Sequence, residues 1–187
     1  MTHTTRNSAL PSSARSLAWS GTMALTAVGG SVVAACMMPF VAVATMTAAT
    51  LPRGGAVATV LVAWGANQLL GFGLLGYPLD GNALGWGVAL GVAALLALAV
   101  AWVVGVRPGR SPVRTVLAAV LGFAAFELAL YAYAGFAGGR GTFTPAIIGL
   151  LARNEAMWLA GLLAVHALLG VALPRWFARP GASRLAR

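Results

Sequence analysis

Residues 83–106 read ALGWGVALGVAALLALAVAWVVGV, a run with no charged side chain and no hydrogen-bonding side chain other than two tryptophans. At about 1.5 Å per residue, a helix over this run is about 36 Å long and crosses a hydrocarbon core of about 30 Å. In water such a helix would expose apolar surface on every side. In lipid it is stable, because a helix satisfies its backbone polar groups internally. The run therefore reads as a membrane span, and the sequence on either side repeats the pattern.

Towards the C-terminus the run stops at Arg107-Pro108-Gly109-Arg110-Ser111-Pro112-Val113-Arg114, the clearest loop in the chain. A further span covers about Val116 to Phe136 and is closed by Gly138-Gly139-Arg140-Gly141. Phe143 to Leu151 is apolar but too short to cross, and reads as a half-helix or interfacial segment opened by Thr144-Pro145. The last span is about Ala156 to Leu173, followed by a basic tail with Arg175, Arg179, Arg184 and Arg187.

Towards the N-terminus, Pro78-Leu79-Asp80-Gly81-Asn82 has turn chemistry, and Gly54 to Tyr77 forms the preceding span. Asp80 reads as a boundary acid. Beyond Leu51-Pro52-Arg53 lies an uncharged stretch of about 35 residues, Leu17 to Leu51. It is too long for one simple crossing and marginal for two, with Gly29-Gly30 and Pro39 as its break points. It reads as a first span ending near Cys36 to Pro39 with a bent continuation to Leu51, or as a tight re-entrant hairpin.

Composition agrees with the spans. Of 187 residues, 60% are hydrophobic and 8% charged, which excludes an ordinary soluble domain. The expected class is an all-α polytopic membrane bundle of about six helices, with five to six spans, one or two of them short or broken. Residues 1–16 form a polar lead-in, 17–174 the bundle, and 175–187 a basic cytoplasmic tail. The Val33-Ala34-Ala35-Cys36 run also matches a bacterial lipoprotein cleavage box, although small residues are common throughout this chain.

All 12 cations are arginines, against three acids, giving a formal charge of +9. They cluster at span ends, where they bias loops towards the cytoplasm and towards anionic headgroups of membrane lipids. No basic helix with interleaved aromatics is present, so nucleic acid is not an expected partner. With five crossings, eight arginines lie inside and four (Arg6, Arg15, Arg140, Arg153) outside; if Leu17–Leu51 crosses twice, the division is ten against two. Both schemes place the C-terminus in the cytoplasm, and charge favours the second. The expected location is the plasma (inner) membrane.

Small residues report packing, because they let helix backbones approach closely in lipid. Gly87, Gly91 and Ala94 lie on one face at i, i+4 and i+7, reading as tight contact inside the bundle or as a homodimer face. Trp19, Trp86, Trp102, Trp158 and Trp176 lie near expected span ends as interfacial anchors, with Trp64 deeper.

Polar groups far from span ends carry the functional signal. Asn67 and Gln68 fall near the middle of one expected span, Glu127 of another and His166 of the last, so four polar groups on three helices form a layer. A carboxylate at the bilayer centre costs about 2.5–3.5 kcal/mol on insertion scales, so Glu127 should face the interior and find a partner. His166 is the natural one, and Tyr131, one turn on at i+4, adds a phenol to the same face. Asn67 and Gln68 are adjacent and diverge by about 100°, so one of them can simply tie helices together.

Other chemistries fit less well. Cys36, Met37, Met38 and Met46 are soft ligands on one segment, but adjacent methionines diverge and methionine is a common apolar filler. A single cysteine forms no intrachain disulfide. A paired-aspartate or HExxH protease is excluded by composition, and Ser20 and Ser31 lack a nucleophile context. Acid–base chemistry by Glu127 with His166 is possible, but an enzyme is the less favoured class. No cofactor is expected.

The sequence thus suggests a site lined by Glu127, His166, Asn67, Gln68 and Tyr131 that binds or passes a small solute or ion, with a cation among the candidates. The chain lacks two equivalent halves, which argues against a self-contained rocking transporter. A substrate-binding membrane subunit working with other transporter subunits, or a homodimer, suits its size. The competing reading is a structural or assembly subunit in which the polar layer only fixes helix register.

Overall fold

The computed structural model describes residues 13–14, 16–23, 38–106 and 111–172. Every regular element among them is helical, and the chain is a polytopic membrane helix bundle. Residues 16–23 belong to α1. The others are α2 (Phe40–Thr50), α3 (Arg53–Gln68, running on through a π-helical turn, Leu69–Leu74), α4 (Gly81–Val104), α5 (Pro112–Ala137) and α6 (Pro145–Ala172). Arg53–Leu74, α4, α5 and α6, at 22, 24, 26 and 28 residues, are long and apolar enough to cross a membrane.

Local chemistry sets the helix ends. The Asp80 carboxylate accepts from the Ala83 N–H at 2.8 Å and opens α4, as the boundary reading of that acid requires. Gly105, at φ 70°, closes α4 in the left-handed region. Ser111 accepts from the Arg114 N–H at 3.3 Å with Pro112 in the first turn of α5. Thr144 accepts from the Ile147 N–H at 3.3 Å and opens α6.

Two expectations change here. The segment opened by Thr144-Pro145 does not stop at Leu151 but continues as one 28-residue helix to Ala172. Arg153, Asn154 and Glu155 interrupt its apolarity but contain no glycine or proline, so nothing breaks its backbone. Trp158 consequently sits at the middle of α6, where it packs against the core, and is not an end anchor.

The stretch before Leu51 also resolves in part. At 11 residues, α2 is about 16 Å long and cannot cross. Its residues Phe40 to Thr47 are all buried, and it touches α3, α4, α5 and α6. It is a central half-helix wrapped by the spans, which matches the broken or re-entrant reading. The Gly29-Gly30 break and Cys36 lie outside the described residues.

The small-residue face of α4 is used inside the bundle. Gly87, Gly91 and Ala94 are buried against α3, and the Trp64 indole N–H donates to the Gly87 carbonyl at 2.7 Å. A Cβ built at Gly91 would lie 2.9 Å from the Trp64 indole nitrogen, so only glycine admits the ring. On the far side of α4, a Cβ at Gly122 of α5 would lie 3.4 Å from Val41 Cγ1 and 3.6 Å from the Ala97 carbonyl.

Contacts define two ends. At one, the Trp19 indole donates to Thr50 Oγ1 at 2.8 Å, and the Arg53 guanidinium sits 6.0 Å from the Trp102 ring centroid. At the other, the Asn82 amide donates to the Ala137 carbonyl at 3.2 Å, with Arg140 beside the α5–α6 turn.

Candidate functional site

Pro39 precedes α2 and offers no side chain to its first turn, so the N–H groups at this helix start need acceptors from elsewhere. Inside a bundle at membrane depth, water is not at hand to supply them. Glu155, more than a hundred residues away on α6, does so. Its carboxylate accepts from the Ala42 N–H at 2.8 Å and the Val41 N–H at 3.3 Å. The negative group also faces the positive end of the α2 dipole, the favourable pairing for both. Glu155 thus ties the central half-helix to the outer span.

Beside this junction lies a cavity of about 250 Å³ between α3, α4, α5 and α6. Its wall is mostly apolar and aromatic, with Phe40, Phe123, Phe126 and Phe143 among the lining side chains. Five polar residues interrupt it: Asn67, Glu127, Thr142, Asn154 and Glu155. Two of the three acids in the chain therefore meet at one apolar cavity, and among the described residues no arginine or histidine lines it.

The two carboxyl groups stand in different situations. Glu155 has two backbone donors. Glu127, at 8% exposure, makes no hydrogen bond or ion pair with any described residue. A buried charge or polar group without a partner is costly, and such groups in native bundles mark places where something else completes the pairing.

Among the residues picked out from sequence, Asn67 and Glu127 come together at the cavity from α3 and α5. The others lie elsewhere. His166 does not line the cavity; its ring lies 4.9 Å from that of Trp19, three turns beyond Glu155 along α6. The displacement follows from the helix length, since an α6 beginning at Pro145 puts His166 in its last two turns and not at its centre. Gln68 packs against Gly87, its amide nitrogen buried without a hydrogen-bond partner. Tyr131 stands edge-on to Phe143 at 5.4 Å, with the Arg140 guanidinium 5.3 Å from its ring centroid, and is 43% exposed. It touches a lining residue without lining the cavity itself. Of the soft side chains, Met38 lines the cavity and Met46 is buried in α2; Cys36 and Met37 lie outside the described residues.

Sequence reading passed over Glu155 and Asn154. The signal was available in the Arg153-Asn154-Glu155 triplet, which carries no breaker and sits between two apolar segments of helical character. The uncapped Pro39-Phe40 start was a second hint, because it demands an acceptor from another part of the chain.

In chemical terms, the cavity is a mostly apolar, aromatic-walled space lined by a carboxyl group that has no partner among the described residues and by two amide side chains. It can hold a small molecule whose body is apolar and whose polar part meets Glu127. No protein-family model, no curated protein and no solved structure matches the chain.

Proposed function

We propose that this chain binds or carries a small solute at the Glu127 cavity, as a multi-pass protein of the plasma (inner) membrane working as a substrate-binding subunit with other transporter subunits or with a second copy. The observation that carries this reading is the Glu127 carboxyl group, which has no partner among the described residues and lines an open apolar cavity. Glu127 acts as counter-ion or proton carrier for the solute, and Asn67 supplies an amide from the facing helix. Arg53 and Arg114 lie at the end where Trp19 meets Thr50, with Arg140 at the opposite end. The arginine bias then turns the Arg53 end, and with it the C-terminus, towards the cytoplasm.

Native mass spectra of the protein released from its own membranes test the reading. Wild type should carry a defined small-molecule adduct that Glu127→Gln loses. If both variants arrive bare and equally stable, the solute reading falls and an assembly subunit takes its place.

A further inference from the structure

A second cavity, of about 460 Å³, lies on the other side of Glu155. It is a groove between α5 and α6, floored by Val41 and Ala42 at the start of α2, and apart from Glu155 every described lining residue is apolar. Phe123 and Glu155 line both this groove and the inner cavity. One aromatic ring and one carboxyl group therefore stand between the two spaces. The groove opens on the outer face of the bundle, where Val116, Val120 and Leu163 are exposed. These residues lie within spans, so in a membrane the mouth faces lipid and not water. Among the described residues, α5 and α6 touch only sparsely along this seam.

Charge decides which solute suits the two spaces. Among the described residues, Glu127 and Glu155 are the only acids, arginines or histidines lining either one. The charge of Glu155 is matched by the α2 start; that of Glu127 is not. An anion would meet two carboxyl groups with no cation to hold it. A wholly apolar solute would leave Glu127 without a partner, and a hydrated inorganic ion would find, among the described lining residues of the groove, only the Glu155 carboxyl group, already held by two backbone N–H groups, to replace its water. A cation on an apolar body meets every condition: its charge pairs with Glu127, its body packs on the aromatic wall, and aromatic rings attract cations. Such amphiphiles also concentrate in the bilayer, beside the groove mouth.

We propose that the Glu127 cavity takes a small amphiphilic organic cation, and that this solute reaches it sideways from the bilayer through the α5–α6 groove, past Phe123 and Glu155. The proposal rests on the reading of the Glu127 cavity as a solute site and adds the class of solute and its route.

The test uses the full chain in phosphatidylcholine nanodiscs with tritiated benzyltrimethylammonium as the probe. Its uncharged isostere neopentylbenzene and the anion phenylacetate serve as competitors. Wild type should bind the cation saturably; neopentylbenzene should compete at least tenfold more weakly than unlabelled cation, and phenylacetate not at all. Glu127→Gln should weaken binding at least tenfold. Ala119→Trp and Ala160→Trp fill the groove without reaching the inner cavity. Each should slow association and dissociation together, tenfold or more, with Kd unchanged; if one fails to fold, the other carries the comparison.

Unaltered rates in the tryptophan variants overturn the lateral route, including the case in which they merely expel a lipid chain from the groove. Equal binding of cation and isostere overturns the solute class. A wild type that carries a native adduct lost in Glu127→Gln, yet binds no cation probe, overturns this proposal and leaves the solute site standing. A wild type bare in both assays removes both.

Discussion

Glu155 and Glu127 share one cavity wall, and their surroundings assign them opposite tasks. Glu155 accepts two backbone N–H bonds at a helix start that has no cap of its own. Removing it leaves two donors without acceptors inside the bundle. Glu155→Ala should therefore cost about 2 kcal/mol of stability, and Glu155→Gln, which keeps one carbonyl acceptor, about half as much. Arg153→Ala, two positions away and exposed, should stay within about 0.5 kcal/mol of wild type. Unfolding of the three variants by SDS titration in mild detergent checks the ranking, and equal loss in all three would mean that Glu155 is not the cap. The place of Glu127 inside the bundle was legible in the sequence, because an acid in the middle of an uncharged span stands out. That of Glu155 was not, since Glu155 sits beside an arginine and looks like a loop residue until its helix is known to be continuous.

Among the elements, α4 shows how far small residues determine packing. Its Gly87–Gly91–Ala94 face admits the Trp64 ring and an indole hydrogen bond, so the contact between α3 and α4 depends on the missing side chains. Gly91→Leu should push Trp64 out and cost about 1–3 kcal/mol. Gly161→Leu on α6, where nothing lies within 4 Å of the added Cβ, should be neutral or stabilising, since leucine is the better helix former. Comparing the unfolding midpoints of the two variants separates packing from propensity. The face itself could be read from spacing, as could the boundary at Asp80, because each depends on residues close in sequence. The length of α6 could not. Hydropathy alone weighed the Arg153-Asn154-Glu155 triplet as an interruption, whereas the helix passes through it and puts Asn154 and Glu155 to use at the cavity.

At the scale of the whole molecule, a short buried helix at the centre and four long ones around it place Arg53 and Asp80 at opposite ends. In a Cys36→Ser background, a membrane-impermeant maleimide should label Leu79→Cys and Gly141→Cys in intact cells, and Gly54→Cys only after permeabilisation. Labelling of positions 54 and 79 from the same side would contradict the arrangement. The span pattern needed only hydropathy and arginine counts, whereas the cavity depends on which side chains converge from four helices and on the register of α6. Asn67 and Glu127 meet there from α3 and α5, while the register of α6 adds Asn154 and Glu155 and carries His166 towards the Trp19 end. The central claim is that Glu127 is kept for a ligand and contributes nothing to holding the bundle. The most direct test is the unfolding free energy of ligand-free wild type, Glu127→Gln and Glu127→Leu in the same detergent. Because the carboxyl group has no partner among the described residues and stands on a mostly apolar wall, both variants should be as stable as wild type or more so, by about 1 kcal/mol or more for leucine. A loss of about 2 kcal/mol in both variants would contradict the claim and make Glu127 a structural tie between helices.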